Sequence, residues 1–346
     1  MDDAGGGLRG LRARPAKRLI EAVHNAYGIA SDAPPADLGG SSNLNLLVCD
    51  GEDRWVVRVY RPYVTPERLR DVHVVRHELD AAGVPREGLI LTRRGDEWMV
   101  FRDRLVEVEG FVDRDADMDS WAALEAGMPV LARTHDCLRG LPLSEAGKHP
   151  LFANYVGSAD ALAATLDGTE RIRSWGPTQA ELALVADAER LAHLVSNAET
   201  GLTAELPTQL VHGDFWDNNV FLRGGNVVYV TDFDFMGQRP RIDDLALTMF
   251  FACMEYFEDP VSDAQLRRVR ALLDAYEASC QLSLSPHERA ALPSAIARQP
   301  LWSIGGWVRL LDDDSAARQH AAGSHREVGW ALHLMEDLER WQAACA

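Results

Sequence analysis

The sequence predicts an α+β protein in which a small N-terminal β-sheet lobe with one helix precedes a larger, mainly α-helical C-terminal lobe. Short β-rich apolar runs dominate the first 110 residues, whereas apolar residues recur with helical spacing from Trp121 onward. One small β-rich island, between residues 210 and 232, interrupts the helices. We therefore expect a disordered terminus over residues 1–14, an N-terminal lobe over 15–110 and a C-terminal lobe over 111–346.

Turn and cap residues separate the elements of the N-terminal lobe. Asp50-Gly51 lies between two apolar runs, which is typical of a hairpin. Thr65 and Pro66 fit the N-cap and first position of a helix that Gly83 ends. The predicted elements are helices Lys17–Tyr27 and Thr65–Ala82 and strands Leu44–Val48, Trp55–Tyr60, Leu89–Thr92, Glu97–Phe101 and Leu105–Phe111.

The C-terminal lobe is predicted from six segments with helical spacing. These segments are Trp121–Leu138, Gln179–Ser196, Ile242–Phe257, Ala264–Cys280, Pro286–Ile296 and His325–Ala344. The short runs Leu210–Val211, Val220–Leu222 and Val227–Asp232 predict strands. The Asp-, Gly- and Arg-rich stretch Gly157–Pro177 predicts an insertion or a mobile loop.

The charge and cysteine content exclude several classes of function. The chain has 53 acidic and 35 basic residues, a net charge of -18, which disfavours nucleic acids and anionic membranes as partners. The longest dense apolar run, Leu245–Met254, is about half as long as a membrane span requires. Five cysteines without a CxxC pair predict no disulfide framework. We therefore expect a cytoplasmic protein, and its oligomeric state stays open.

Polar residues follow the strands of the β island. Asp214 comes shortly after Leu210–Val211, Asn219 precedes the next strand, and Asp232 ends the third. We expect these strands to place all three side chains at one end of a small sheet. Two carboxylates and a carboxamide suit Mg²⁺, which prefers oxygen ligands. A carboxylate without a metal could instead orient a hydroxyl group and take its proton.

These residues belong to motifs that resemble the aminoglycoside phosphotransferase and choline kinase-like family, a branch of the protein-kinase-like fold. His212–Asn219 reads HGDFWDNN and matches the HGDxxxxN catalytic loop of that family. Asp232–Asp234 reads DFD and matches its second metal motif, and Asp243–Ala246 matches the D-L-A that starts the next helix. Leu131–Asp136 is similar to its L-x-x-L-H-D helix, with Thr134 in place of a leucine.

The resemblance assigns a role to each motif residue. Asp214 would orient the acceptor hydroxyl group and act as the base, while Asn219 and Asp232 would hold Mg²⁺ at the phosphates of ATP or GTP. Asp244 would brace the catalytic loop. His212 would brace the same loop or shuttle a proton.

The N-terminal lobe would then bind the nucleotide. The loop that contains Ser41, Ser42 and Asn43 would close over the phosphates through its main-chain N–H groups. The hinge that pairs with the nucleotide base would lie at Glu107–Phe111, where Glu109 and Phe111 are the predicted contacts.

The scarcity of lysine bears on phosphate binding. Only Lys17 and Lys148 are lysines, and neither lies in the strand where kinase-like folds place a phosphate-binding lysine. Arg58 occupies that position and would contact the phosphates with a planar fork, or else face solvent. The expected acidic partner on the following helix is unclear, and Asp71 and Glu78 are the candidates.

The acceptor pocket is expected in the helical lobe, lined by acids and aromatic rings. Such a pocket would suit an amine-bearing alcohol, such as an aminoglycoside, an amino sugar or an amino alcohol, and a nucleoside antibiotic is also compatible. Asp234 would steer the substrate or cap its turn. The other candidate substrate contacts are Trp216, Asp217, Glu255, Trp302 and Asp313.

Three classes of function follow from the resemblance. The first is a small-molecule O-phosphotransferase, with antibiotic resistance as one role. The second is a nucleotide-binding pseudokinase or regulatory module, which Arg58 and the missing acid would favour. The third is a protein kinase, which the short spacing from Asp232 to Asp244 disfavours because no long activation segment fits between them.

Overall fold

A computed structural model describes residues 12–40, 43–151, 153–203, 206–256, 262–311 and 313–346. Residues 1–11 of the expected disordered terminus lie outside this part of the chain. The predicted phosphate contacts Ser41 and Ser42 also lie outside it.

The N-terminal lobe is built on an antiparallel sheet of six strands. The strands are β1 (Ala36–Asp37), β2 (Leu44–Asp50), β3 (Asp53–Val59), β4 (Leu89–Ile90), β5 (Met99–Phe101) and β6 (Arg104–Gly110). Their order is β1-β2-β3-β6-β4, and β5 also pairs with β6. Strands β2 and β3 form the predicted hairpin, whose turn includes Gly51 with a positive φ of 62°.

The two helices of this lobe cover opposite faces of the sheet. Helix α1 (Lys17–Tyr27) packs Leu19 and Val23 into the same apolar cluster as Val57 of β3. Helix α2 (Pro66–Ala81) begins as predicted, with Thr65 as its N-cap. Strand residues alternate between the two faces, so β3 and β6 direct their charged residues toward α2.

Nine further helices make up most of the C-terminal lobe within the described residues. They are α3 (Trp121–Leu138), α4 (Glu145–Lys148), α5 (Ala161–Ser174), α6 (Gln179–Glu199), α7 (Ile242–Tyr256), α8 (Asp263–Glu277), α9 (Pro286–Arg298), α10 (Asp314–Glu336) and α11 (Leu338–Cys345). Capping boxes begin α6, through Thr178, and α9, through Ser285. The apolar segment Leu245–Met254 lies inside α7, which is buried along most of its length. No helix in the described part of the chain is long and apolar enough to cross a membrane.

The β island forms two small sheets instead of one. Strands β9 (Val220–Arg223) and β10 (Asn226–Val230) form a hairpin that also pairs with β7 (Ala116–Asp117). Strand β8 (Thr208–Val211) pairs with β11 (Gly237–Pro240). The expectation of a single small sheet is therefore wrong, because β8 finds its partner beyond the D-F-D motif.

Two other predictions about the helices are also wrong. Gly157–Pro177, predicted as an insertion or a mobile loop, contains α5. This helix packs through small residues such as Ala164 and Gly168, which give a weak apolar signal, and Gly168 lies against the Ile304 carbonyl. The segment predicted as one helix, His325–Ala344, belongs to α10 and α11, which Asp337 separates.

Candidate active site

The loop between β8 and β9 brings Asp214 and Asn219 together. A 3₁₀ turn over Asp217–Asn219 folds the loop back toward its own start. The Nδ2 of Asn219 donates hydrogen bonds to the main-chain carbonyl of Asp214 (2.8 Å) and to its Oδ2 (2.9 Å). The carboxamide thereby fixes the carboxylate, and its own Oδ1 is the atom chemically suited to a cation.

The start of this loop is held by Asp244, in the first turn of α7. Its carboxylate accepts hydrogen bonds from the main-chain N–H groups of His212 (2.8 Å) and Gly213 (2.7 Å). It also lies 3.1 Å from Nε2 of His135. Burial opposes the charge of Asp244, but the hydrogen bond with His135 and the nearby charge of Arg239 act together with other contacts to lower the pKa of Asp244.

His212 is buried with both ring nitrogens engaged. Its Nδ1 accepts the main-chain N–H of Asp214 (3.2 Å), and its Nε2 therefore donates to the Thr231 carbonyl (2.9 Å). Burial lowers the pKa of His212 to about 4, so the ring is neutral. Of the two predicted roles, this arrangement favours bracing over a proton shuttle. The adjacent Gly213 has a positive φ of 85°, and a Cβ there would collide with Arg239.

The carboxylate of Asp214 lies in a setting that favours its protonated form. Burial raises its pKa to about 6, against the hydrogen bonds from Asn219 and Asn154, which lower it. The Nδ2 of Asn154 lies 3.5 Å from Oδ1 of Asp214. No sequence motif marked Asn154, which lies in an irregular segment before α5.

Asp232 lies at the mouth of the same site, after β10. Its φ of 62° is rare for a residue other than glycine, which is typical of functional positions. Burial and the nearby charge of Asp234 raise the pKa of Asp232, and Asp214 acts in the same direction. Acids held together in this way are stabilised by a cation.

The residues present fit a divalent cation only in part. No cluster of three or more His, Cys, Asp or Glu side chains suited to a metal ion occurs in the part of the chain that the structure describes. Among the described residues, the candidate protein ligands for a divalent cation are therefore only the two predicted ones, Asn219 and Asp232. A hard cation such as Mg²⁺ commonly combines one or two carboxylates with water and substrate phosphates, so two protein ligands are compatible with it.

Asn43, from the predicted phosphate loop, is tied to the D-F-D segment. Its Nδ2 donates to Oδ2 of Asp234 (2.6 Å), and its Oδ1 accepts the main-chain N–H of Arg61 (3.0 Å). Asp234 is buried, and its carboxylate also lies 3.9 Å from Nε of Arg61. Of the two roles predicted for Asp234, this geometry favours a structural one, which links the two lobes.

Arg58 lies on β3 with its guanidinium group inside the site. It donates to the hydroxyl of Thr231 (2.6 Å) and lies 3.5 Å from Glu109 and 3.7 Å from Asp232. Only 5% of its surface is exposed, so it does not face solvent. Burial opposes its charge, but the two carboxylates outweigh burial and raise the pKa of Arg58 further.

The acid that pairs with Arg58 is Glu109 of β6, and helix α2 contributes a second arginine, Arg76. Arg76 of α2 donates to Glu107 (2.7 Å) and to Glu109. Burial opposes the charge of Glu107, but Arg76 and then His73 outweigh it and hold the pKa of Glu107 well below its usual range. Of the predicted partners, Asp71 instead accepts the hydroxyl of Ser144. Glu78 makes no ion pair with Arg58 within the described residues.

His73 adds a pH-dependent element to this buried network. Its Nε2 lies 2.7 Å from Glu107 and its Nδ1 lies 3.1 Å from Glu97. Burial acts against its charge, but the hydrogen bonds to these acids outweigh burial and raise the pKa of His73 above its usual 6.5. The charged form is therefore more stable in the folded protein than in the unfolded chain.

We expect His73→Gln to lower the thermal stability of the protein at low pH and to have less effect at high pH. The stabilisation by charged His73 is fully present below about pH 6.5 and is lost as the pH rises through its raised folded-state pKa. Melting temperatures measured from about pH 6 to about pH 8 test this, with exposed His77→Gln on the same helix as the control. An effect that does not change with pH would contradict it.

A cleft of about 230 Å³ opens between the two lobes at these residues. Val56 of the sheet and Phe221 of β9 line it, and Tyr229 contributes to its inner wall. Arg114, which sequence reasoning missed, stacks its guanidinium group 3.6 Å from the centre of the Phe221 ring. Among the described lining residues the cations are Arg58 and Arg114, and there is no lysine.

The predicted hinge residues line the outer part of this cleft. Glu109 is paired in register with both β3 and β4, and its side chain belongs to the arginine network. The main-chain N–H of Phe111 donates to the Arg54 carbonyl (3.1 Å). Gly110 and Val112 lie beside it in the cleft wall.

The predicted substrate residues are divided between different places. Trp216 is buried and stacks on Phe251 of α7, with ring centres 5.2 Å apart. Asp217 lies in the electrostatic field of Glu255, at the far end of α7, and burial raises its pKa. Asp313 caps α10 by accepting the N–H of Ala316 (2.9 Å).

Trp302 lies elsewhere, at a second cleft of about 310 Å³. The charged side chains that line this cleft are Lys148, Arg239 and Arg309, and none of its described lining residues is an aspartate or glutamate. The expected acidic, aromatic pocket is therefore absent around Trp302 in the described structure. The aromatic residue is present, but its charged neighbours are basic.

Solved structures that superpose on this chain include small-molecule kinases. The amicoumacin kinase hAmiN, in complex with AMP-PNP, Ca²⁺ and Ami, superposes with a TM-score of 0.68 at 12% identity, over 94% of each chain. The microcompartment-associated aminopropanol kinase also gives 0.68, at 17% identity over 93% of this chain and 98% of its own. These superpositions confirm the bilobal kinase-like fold that the sequence predicts.

Sequence comparison reaches the same group of enzymes. Homoserine kinase of Rhodopseudomonas palustris (strain BisB5) is 24% identical over 261 residues, which are 73% of this chain and 72% of that protein. The model of the phosphotransferase enzyme family, which includes the aminoglycoside phosphotransferases, matches residues 35–282 and thus the interlobe cleft, the HGD loop and the D-F-D segment. This protein belongs to the phosphotransferase enzyme family and is a small-molecule kinase-like phosphotransferase.

Proposed function

We propose that the protein transfers the γ-phosphoryl group of ATP or GTP to a hydroxyl group of a small amine-bearing molecule. The observation that carries this proposal is the joint placement of Asp214, Asn219 and Asp232 at the mouth of the interlobe cleft. A pseudokinase would not need a carboxylate held by a carboxamide at this point. Arg58, the feature that favoured a pseudokinase, is buried and points its charge into the same cleft.

Asp214 would act on the acceptor hydroxyl group. Its Oδ2 is held by Asn219 and its Oδ1 approaches Asn154, so the carboxylate has a defined orientation. It would accept the hydroxyl proton as the acceptor oxygen forms its bond to the γ-phosphorus and the bond to the β-phosphate oxygen breaks. The raised pKa makes Asp214 a stronger base than an ordinary aspartate.

The remaining residues would position the nucleotide. Asn219 and Asp232 would hold Mg²⁺, which neutralises phosphate charge when bound. Arg58 would contact the α- and β-phosphates through its fork, in place of the usual lysine. The Gly110–Val112 segment would meet the nucleotide base, and Asn43 would keep the phosphate loop against Asp234.

An amine-bearing alcohol is proposed as the acceptor on the basis of the relatives. These relatives are kinases of homoserine, aminopropanol and amicoumacin, and the first two compounds are small amino alcohols. A role in antibiotic resistance rests on the third relative and on structural neighbours that are aminoglycoside phosphotransferases. We therefore rank small amino alcohols and hydroxy amino acids above aminoglycosides and nucleosides.

A coupled assay of nucleoside diphosphate release tests this function. The purified protein is screened with ATP and GTP against hydroxy amino acids, amino alcohols, amino sugars, aminoglycosides and nucleoside antibiotics. We expect release that requires both Mg²⁺ and one of these acceptors. Release that is equally fast without any acceptor would contradict the proposal, because it would indicate a nucleotide hydrolase.

We expect Arg58→Ala to raise the KM for the nucleotide by about 10- to 100-fold, the cost of losing charge-assisted hydrogen bonds. Arg58→Lys should restore part of this loss, since it returns the charge without the fork. Steady-state kinetics with varied nucleotide measure the effect. Lys17→Ala is the control, because Lys17 is 90% exposed on α1. An unchanged KM in Arg58→Ala would exclude Arg58 as a phosphate contact.

A further inference from the structure

The second cleft is lined by β11 together with residues 148–151, 153 and 155, Trp302 and residues 309–310. It has a volume of about 310 Å³, and Gly237 and Gln238 of β11 form one side. The residues that follow α4 and those beside the π-helical turn Ser303–Val308 complete it. π-helical turns recur at functional sites, and this turn begins directly after Trp302, which lines the cleft.

The main charge in this cleft is Arg239, a buried arginine. Only 5% of its surface is exposed. Its Nη2 donates to the Phe235 carbonyl (2.5 Å), and its guanidinium group stacks 4.3 Å from the centre of the Tyr155 ring. Its charge acts on buried Asp244, whose carboxylate is already bound to the main-chain N–H groups of His212 and Gly213. The charge of Arg239 is therefore shared with that loop contact, and an anion in the cleft would stabilise it further.

Two further cations lie at the rim of the cleft. Lys148 pairs with Glu145 (3.0 Å) and Arg309 with Asp167 (3.8 Å), and both of these acids are well exposed. Neither acid lines the cleft. The charged side chains that line the cleft are therefore all basic, although the whole chain carries a net charge of -18.

The cleft adjoins the catalytic loop on two sides. The guanidinium group of Arg239 packs directly against Gly213, the residue before Asp214. Ala153 and Tyr155 line the cleft, and Asn154 between them approaches the carboxylate of Asp214. Asp214 itself lines the interlobe cleft, so an acceptor held in the second cleft would have to extend past Asn154 to present its hydroxyl group to Asp214.

We propose that the acceptor carries a carboxylate, and that Arg239, with Lys148 and Arg309 at the rim, binds this group beside the catalytic loop. The acceptor is then a small hydroxy acid, with its hydroxyl group a few bonds from the carboxylate. Arginine matches a carboxylate through two parallel N–H donors, which gives orientation as well as affinity. This inference rests on the proposed kinase function and replaces the expectation of an acidic acceptor pocket.

Three compounds that share a three-carbon hydroxyalkyl unit separate the contributions of the two charged groups. Homoserine has an amine and a carboxylate, 3-aminopropan-1-ol lacks the carboxylate, and 4-hydroxybutanoate lacks the amine. O-Phosphoethanolamine, which has a phosphate and an amine but no carboxylate and no free hydroxyl group, is added as a competing anion. We expect homoserine to exceed 3-aminopropan-1-ol at least 10-fold in kcat/KM. We also expect 4-hydroxybutanoate to be an acceptor that inhibits the use of homoserine more strongly than O-phosphoethanolamine does.

Two cleft variants test the residues. Arg239→Gln should abolish the preference for the carboxylate, mainly through the KM of the acceptor. Arg309→Gln should weaken the preference for the carboxylate. Because Arg309 is 42% exposed, this variant should fold, and it tests the cleft even if Arg239→Gln does not fold. Arg268→Gln is the control, since Arg268 is 49% exposed on α8 and pairs with Glu125.

Each outcome decides the proposal. Equal or better use of 3-aminopropan-1-ol, or turnover only of acceptors without a carboxylate, would overturn it and leave the kinase function standing. A carboxylate preference that survives both cleft variants would overturn the assignment to Arg239 and Arg309, as would stronger inhibition by the phosphate compound. If no acceptor in the wider screen gives turnover that depends on Asp214, the kinase function itself fails.

Discussion

Asp214→Asn should lower kcat for phosphoryl transfer by about 10²- to 10⁴-fold while the protein keeps its fold and its affinity for the nucleotide. The substitution keeps the size of the side chain and one oxygen atom, so the hydrogen bonds from Asn219 and Asn154 are partly preserved. It removes the charge that would accept the hydroxyl proton. Acceptor-dependent nucleoside diphosphate release measures the loss.

Two controls separate catalysis from folding in this experiment. Thermal unfolding and nucleotide binding should match the unsubstituted protein, because Asp214 lies in a loop and its own pKa is already raised by burial. Asp274→Asn serves as the matched variant, since Asp274 is exposed on α8 and pairs only locally with Arg270. Activity of Asp214→Asn within about threefold of the control would exclude Asp214 as the base.

Arg76→Met should destabilise the fold by about 3–5 kcal/mol, the usual cost of removing one partner from a buried ion pair. Arg76 is the direct partner of both Glu107 and Glu109, and the carboxylates of these residues are almost fully buried. Methionine fills much of the volume but leaves both carboxylates with fewer donors. Equilibrium unfolding in urea measures the change in the free energy of unfolding.

The same variant should also impair nucleotide use through Arg58. Glu109 lies between the two arginines, so the loss of Arg76 leaves Glu109 to pair with Arg58 alone and draws that guanidinium group away from the cleft. Arg70→Met, an exposed position on the same helix, should cost less than about 1 kcal/mol. A destabilisation by Arg76→Met as small as that of Arg70→Met would show that the network contributes little.

The sequence predicted those parts of the site that are encoded locally. Asp214, Asn219 and Asp232 lie within one loop and one hairpin, so their spacing along the chain determines their spacing in the fold. Helix starts such as Thr65 with Pro66 were predicted for the same reason, since a cap is a contact between near neighbours. The kinase-like fold followed from these motifs in order along the chain.

The features that sequence reasoning missed depend on contacts between distant segments. Arg76 meets Glu109 across 33 positions in the chain, and no local pattern indicates that α2 contributes a base where an acid was expected. Asn154 and Asp214 are 60 positions apart. The acidic acceptor pocket was predicted from acids and tryptophans of the helical lobe, but the fold brings Arg239 and Arg309 to the cleft beside Trp302.

The central claim is that Asp214 and its neighbours transfer phosphate from a nucleotide to a hydroxyl group. Phosphorus NMR of a reaction with nucleoside triphosphate, Mg²⁺ and the best acceptor from the screen tests it most directly. We predict a phosphomonoester signal that grows in step with the nucleoside diphosphate and does not form with Asp214→Asn. Inorganic phosphate as the only new product, or an ester formed equally well by Asp214→Asn, would contradict the claim.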